Sequence, residues 1–310
     1  MKASSSIIIC NRFRLDGKIG GGAFGEVFAA YDRSTHRNVA VKLEKRTCQY
    51  PQLHYEYVVL NDIFHRRSIA SVPEPLYYNT DGDFNVLVME RLGYSLADYL
   101  RFCNGRFDEK TVLMLGIRIV RLLELIHDAH YVHRDIKPEN LLFGLDSRRH
   151  DLLLIDFGLS KCLEQTTQRC EENQAKTGTP RFVSLNVHRG LRQNRRDDIE
   201  AVAYMLIFFI RGTLPWIQLE TKQIGAAATA SAPEDKFAAI GRRKAEISIQ
   251  ELCQDIPSSI TFMLVHSRSL EFNQKPNYDE MVSKFAQSLE RRGLNDDGSF
   301  CWKQKIARLS

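Results

Sequence analysis

The chain has 310 residues, 44% of them hydrophobic and 26% charged, a balance that excludes disordered, collagenous and fibrous proteins. At this length a folded chain buries roughly 75% of its unfolded surface, and at about 150 residues per domain the expectation is two domains, or two lobes sharing one cleft. Forty-three basic against 38 acidic residues give +5, too mild a surplus to mark a nucleic-acid binder.

The longest apolar run, residues 201–210 (AVAYMLIFFI), is half the roughly twenty residues of a bilayer span, so a buried core helix is expected and no membrane partner. The opening MKASSSIIIC lacks the apolar length and the small-residue cleavage site of a secretory signal. Cys10, Cys48, Cys103, Cys162, Cys170, Cys253 and Cys301 are odd in number and contain no C-x-x-C pair. They predict reduced thiols in the cytoplasm or nucleus, with neither a disulfide framework nor structural zinc.

In chain order, residues 26–31, 38–43 and 84–89 read as short strands around one helix, with a turn at Asp81-Gly82-Asp83. From about Gly93 a helical period takes over: Val112, Leu115, Ile119, Leu122, Leu123 and Ile126 recur at three and four residues, an amphipathic helix running into His127. No internal repeat is visible. The alanine-rich stretch 225–233, bracketed by Gly225 and Pro233, reads as a loop insertion. The densest basic cluster, Arg189, Arg192, Arg195 and Arg196, is a candidate anion site.

Residues 19–27 read Ile19-Gly20-Gly21-Gly22-Ala23-Phe24-Gly25-Glu26-Val27, and G-x-G-x-x-G alone is weak, serving dinucleotide folds, kinases and plain turns. A dinucleotide fingerprint must open a helix. Here another strand follows, and strand, glycine loop, strand is a hairpin whose backbone can cover phosphates. Val39-Ala40-Val41-Lys42 places a lysine at the end of an apolar strand, and Glu56 follows fourteen residues later in a helix with Pro51 at a first-turn position. Val59, Leu60 and Ile63 share the face of Glu56, so the carboxylate points inward and needs a cation, for which Lys42 is the candidate.

The strongest signal is His133-Arg134-Asp135-Ile136-Lys137-Pro138-Glu139-Asn140, with Asp156-Phe157-Gly158 beginning sixteen residues after Asn140. Phosphoryl transfer needs an acceptor for a hydroxyl proton (Asp135), a cation near the moving phosphate (Lys137) and oxygen ligands for magnesium (Asn140, Asp156). Singly, Asp156 could end a strand and Asp135 could cap a helix. His127, His130 and His133 recur at three-residue spacing, but the third belongs to this loop and no H-E-x-x-H spacing exists, so a metal role for the trio is not expected.

These motifs resemble the eukaryotic protein kinases, and specifically the casein kinase 1 family. The residues that carry the finer likeness are Lys42-Leu43-Glu44, Pro51-Gln52-Leu53-His54-Tyr55-Glu56, Met89-Glu90-Arg91-Leu92-Gly93, Thr177-Gly178-Thr179, Ser184-Leu185-Asn186, Arg195-Arg196-Asp197-Asp198 and Lys275-Pro276-Asn277-Tyr278. The resemblance implies an α+β, bilobal protein kinase-like fold over 11–302. A small β-rich N-lobe with one main helix would span about 11–89, a hinge about 90–93 and a larger helical C-lobe about 94–302, with ATP between the lobes and a short tail at 303–310.

It further implies magnesium and ATP as cofactors, a gatekeeper at Met89, adenine on the backbone of Glu90 and Leu92, and Ala40, Leu142 and Ile155 packed around it. Thr179 would bond near Asp135, and Asp198 would support the catalytic loop. Lys137 marks serine/threonine specificity, and Arg181 with Lys236 forms a substrate anion site. The partners implied are protein substrates with acidic or phosphorylated residues upstream of the target, met by a monomer that binds no specific nucleic acid.

Departures from the family are Pro180, Tyr94, Ala203, the 225–233 insertion and the lack of a long regulatory tail. Activity independent of phosphate on Thr166, Thr167 or Thr177 is also implied. The rivals are a tau-tubulin-kinase-like relative, a pseudokinase scaffold, which would require loss of Lys42, Asp135, Asn140 or Asp156, and a nucleotide or nucleic-acid binding module using the basic cluster.

Overall fold

The structure is a computed structural model and describes residues 7–22, 25–163, 177–221 and 235–306. Ala23, Phe24, Thr166, Thr167, Cys170, the 225–233 segment and the end of the 303–310 tail lie outside the described residues. In chain order the strands are β1 (Ile8–Ile9), β2 (Phe13–Gly22), β3 (Gly25–Asp32), β4 (Arg37–Lys45), β5 (Pro75–Asp81), β6 (Phe84–Glu90), β7 (Tyr131–Val132), β8 (Leu141–Phe143), β9 (Leu152–Leu154) and β10 (Lys161–Cys162). The helices are α1 (Leu53–Asn61), α2 (Leu96–Phe102), α3 (Glu109–Asp128), α4 (Leu185–His188), α5 (Arg195–Arg211), α6 (Gln218–Thr221), α7 (Lys236–Glu246), α8 (Ile249–Leu252), α9 (Ser258–Ser269), α10 (Tyr278–Glu290) and α11 (Cys301–Ile306). This is the α+β class that the sequence implies.

Two compact units divide the chain. The first joins Met1–Tyr94 to Leu141–Ser160, and the second joins Ser95–Asn140 to Lys161–Ser310. A boundary drawn once along the chain does not contain the return of Leu141–Ser160 to the first unit.

The first unit is a six-stranded antiparallel sheet ordered β1-β2-β3-β4-β6-β5, with α1 against it. Alternate residues of a strand face opposite sides. Val39, Val41 and Leu43 of β4 therefore enter one apolar cluster with Phe13, Ala30, Val86 and Val88, while Ala40, Lys42 and Glu44 share the other face, which is also buried. β5 opens on Pro75, tolerated because the strand lies at the sheet edge.

Helix α1 has no cap from its own N-cap residue, Gln52. Glu44 of β4 replaces it, accepting the main-chain N–H groups of Gln52 at 2.7 Å and Leu53 at 3.1 Å. Pro51 consequently stands one residue before the N-cap and not in the first turn as the sequence suggested: the carboxylate that satisfies the orphan N–H donors fixes where the helix begins. The β8–β9 hairpin joins this unit through Gly93 N–H to Phe143 O (2.8 Å), Phe143 N–H to Tyr94 O (3.1 Å) and Leu154 N–H to Ser71 O (3.0 Å).

The second unit is helical. α3 is capped by Asp108, whose carboxylate accepts the Thr111 N–H at 2.8 Å, and it buries Val112, Leu115, Ile119, Leu122, Leu123 and Ile126, the stripe read from the sequence. The apolar run 201–210 lies in α5, which starts at an Asn194–Asp197 capping box and is buried at every position from Asp197 to Phe209. α3 and α9 pack on α5, and α10 on α3 and α9. Among the described residues no helix is long and apolar enough to cross a membrane.

Candidate active site

All residues expected to hold the nucleotide that the structure describes fall in the first unit. Lys42 Nζ donates to Glu56 at 2.7 Å and to Asp156 at 2.8 Å, so the inward carboxylate of α1 has the partner its helical face required. Burial alone depresses an ammonium, but Glu56 and Asp156 outweigh it and hold Lys42 above its ordinary pKa. Asp156 sits in the left-handed region, at φ 68°, immediately after the Leu152–Leu154 strand and Ile155.

Ala40 and Met89 are buried and paired across β4 and β6. Val27, Leu92, Leu142 and Ile155 keep part of their apolar surface accessible, as lining residues of a flat apolar ligand must. Glu90 is fixed by its N–H to Glu74 O (2.9 Å) and by Arg148 on its carboxylate.

The glycines of the loop divide into two kinds. Gly25 has φ +128°, and a Cβ there would lie 2.3 Å from the Leu43 carbonyl oxygen, so the fold itself demands glycine. Gly20 and Gly22 are not left-handed; a Cβ on Gly20 meets Val27 at an ordinary 3.7 Å and, among the described residues, one on Gly22 meets nothing within 4 Å. Among the described residues no packing requirement explains those two, and the sequence expectation for them is close approach of a phosphate to the backbone. Gly25→Ala should therefore lower the melting temperature, while Gly22→Ala should melt like the wild type and raise KM for ATP several-fold. Thermal melts beside ATP titrations separate the two.

Asp135, Lys137 and Asn140 converge in the second unit. Asp135 is buried at 3% exposure; its Oδ1 accepts from the Thr179 N–H (2.9 Å) and hydroxyl (2.7 Å), and its Oδ2 from Lys137 Nζ (2.5 Å). The Asn140 amide NH2 donates to the Asp135 carbonyl at 2.9 Å. This arrangement presents an oriented carboxylate with a cation beside it, suited to taking a proton from a hydroxyl.

The loop is held from below by Asp198, whose carboxylate accepts the N–H of His133 at 2.8 Å and of Arg134 at 2.9 Å. Arg134 is itself left-handed, at φ 70°, a strained conformation that needs such support. Burial pushes Asp198 up, yet the His127 hydrogen bond and charge hold it below the usual carboxylate range. His127 bridges Asp198 (Nε2, 3.0 Å) and the Tyr278 hydroxyl (Nδ1, 2.6 Å), which engages both ring nitrogens. Gly178, at φ +102°, completes the loop's surroundings; a Cβ on it would lie 2.5 Å from the Arg134 carbonyl oxygen.

Ser184-Leu185-Asn186 and Arg195-Arg196-Asp197-Asp198 prove to be one constellation. The Ser184 hydroxyl and the Asn186 amide both donate to Asp197 Oδ1, at 2.5 and 3.2 Å, and burial pushes the Asp197 carboxyl up to about 6 against these bonds. Three residues of the basic cluster have internal contacts: Arg196 donates to Leu270 O at 2.6 Å, Arg195 to His127 O at 3.4 Å, and Arg192 lies over the Phe272 ring at 5.3 Å, whereas Arg189 is exposed.

Arg181 and Lys236 both bond to Glu220, a residue the sequence reading did not name, but only Arg181 engages its side chain. Arg181 Nε donates to both carboxylate oxygens of Glu220 (3.0 and 3.2 Å), and Lys236 Nζ donates to the Glu220 carbonyl at 3.2 Å. The sequence reading also missed Lys244. This fully buried lysine donates to Pro180 O (2.8 Å) and Val183 O (2.7 Å) beneath the rings of Tyr204 and Trp216, and burial holds it well below its ordinary pKa. Its signal was available, since Lys244 lies seven and four residues beyond Phe237 and Ile240, on their buried face.

The family model for the protein kinase domain matches residues 13–282, and the chain belongs to that family. It is a phosphotransferase that binds ATP, and its fold is that of the kinase domain, a curled β-sheet N-lobe and a helical C-lobe.

Proposed function

We propose that the chain is a serine/threonine kinase of the casein kinase 1 type, a monomer that transfers the γ-phosphoryl group of ATP to protein substrates with acidic or phosphorylated residues upstream of the target. The observation that carries this reading is the Asp135 carboxylate, oriented by Thr179 and paired with Lys137. As the substrate oxygen bonds to the γ-phosphorus and the bond to the ADP oxygen breaks, Asp135 takes the hydroxyl proton and Lys137 offsets the charge on the phosphoryl oxygens. Lys42, kept charged by Glu56 and Asp156, holds the nucleotide phosphates.

Magnesium, hard and oxygen-seeking, takes oxygen donors; in the first unit the Asp156 carboxylate is of that kind, and in the second Asn140, with its NH2 turned to Asp135, has a carbonyl oxygen of that kind. When bound, it neutralises phosphate charge. The test is a peptide set differing only in Ser, Thr or Tyr at the target, incubated with magnesium and ATP. Phosphoserine and phosphothreonine without phosphotyrosine is the expected result; phosphotyrosine alone would overturn the specificity.

The substrate anion site rests on Arg181 and Lys236, and Glu220 now stands in it as an internal carboxylate. A phosphoserine upstream of the target would exchange for that carboxylate, because a dianion makes stronger charge-assisted bonds to the guanidinium fork. Arg181→Ala/Lys236→Ala should slow phosphorylated peptides by about ten- to a hundredfold in kcat/KM and change unphosphorylated ones little. Glu220→Gln should raise the ratio of phosphorylated to unphosphorylated kcat/KM. An unchanged ratio in both variants would mean that phosphate is read elsewhere.

A further inference from the structure

Cys103 and Cys301, 198 residues apart in sequence, bring their sulfurs to 3.4 Å. Cys103 is the residue that ends α2, and Cys301 is the first of α11. The flanking backbone is held in register on both sides of the pair: the Cys301 N–H donates to the hydroxyl of buried Thr111 at 2.9 Å, and Trp302 stacks on Tyr99 of α2 with centroids 4.4 Å apart and packs against Phe107 at 5.2 Å. A disulfide needs the sulfurs at about 2.05 Å, a closure of little more than an ångström that side-chain rotation can supply while these contacts persist. The two thiols also differ in access. Cys103 is buried at 6% exposure, whereas Cys301 is half-buried.

We propose that Cys103 and Cys301 are a peroxide-sensitive dithiol that closes to a disulfide and fastens α11 to the end of α2. The more accessible Cys301 thiolate attacks hydrogen peroxide, giving a sulfenic acid and one water after proton transfer. The Cys103 thiolate then attacks the sulfenic sulfur; the S–S bond forms and hydroxide leaves, taking up a proton as the second water. Two thiols lose two electrons and two protons, and one peroxide becomes two waters. In a reducing compartment, thiol exchange with glutathione returns the pair to the dithiol. A cross-link across so long a loop restricts the unfolded chain, so the oxidised protein melts higher than the reduced one.

The experiment uses the full chain, reduced and then exposed to a small molar excess of hydrogen peroxide without denaturant. The expected result is loss of two titratable thiols, loss of the mass of two hydrogen atoms, a cross-linked peptide pair holding Cys103 and Cys301, and a melting temperature several degrees higher that dithiothreitol reverses. Cys301→Ser, which alters a half-buried side chain and leaves buried Cys103 in place, should show neither the cross-link nor the shift. Wild-type protein in which Cys301 stops at the sulfinic acid, in which the cross-link joins other cysteines, or in which the cross-linked form melts no higher would overturn the proposal.

Discussion

Asp135→Asn is expected to lower kcat by about 10²- to 10⁴-fold, the range general-base groups supply, and to leave the melting temperature nearly where it was. An amide oxygen can still accept the Thr179 hydroxyl and N–H that Oδ1 receives at 2.7 and 2.9 Å, and Lys137, which loses its acceptor at Oδ2, is accessible enough to turn to solvent. What is lost is the carboxylate's capacity to take a proton. The change should sit in kcat, with KM for ATP close to wild type, because the nucleotide residues belong to the other unit. Steady-state kinetics beside a thermal melt decide the matter: a variant that turns over like the wild type would refute Asp135 as the base.

Lys42→Met should fail in two ways at once. Glu56, with its side chain 3% exposed, would be left as a buried carboxylate near that of Asp156 with no cation, and breaking a buried pair in this way costs about 3–5 kcal/mol. Activity should fall by orders of magnitude as well. Combining Lys42→Met with Glu56→Gln removes the stranded charge, and should recover most of the melting temperature and none of the turnover. Lys42→Arg keeps a cation, but a planar fork cannot reproduce the contacts at 2.7 and 2.8 Å that one compact ammonium makes. It should melt closer to wild type than Lys42→Met and remain nearly inactive. If the double variant regained activity together with stability, Lys42 would be a structural cation alone.

The elements that sequence reading reached best are those whose pattern is local. The α3 stripe, the burial of the 201–210 run and the inward turn of Glu56 each follow from side-chain periodicity, and the meeting of Asp135, Lys137 and Asn140 from residue types at fixed spacing. What escaped depends on partners distant in sequence. Glu44 caps α1 from a neighbouring strand and so displaces Pro51 from the first turn, which no reading of residues 51–56 could reveal. Glu220 reaches Arg181 across 39 residues, so the cation was legible and its internal anion was not. The return of Leu141–Ser160 to the first unit is likewise a matter of contacts with residues distant in sequence, such as Gly93 N–H to Phe143 O and Leu154 N–H to Ser71 O.

Asp198 ties the chemistry of the loop to the core more closely than its distance in sequence suggests. The two amide protons it accepts, from His133 and Arg134, are bound to a carboxylate rooted in the helix whose residues from Asp197 to Phe209 are all buried. Exchange of those protons with solvent deuterium requires that helix to shift, and so requires an opening close to complete unfolding of the unit. His133 and Arg134 should rank with the core of α5 among the slowest-exchanging amides, although the segment carrying them has almost no regular secondary structure. Asp198→Asn should move them into the fast class of ordinary loops before any change in overall folding is seen.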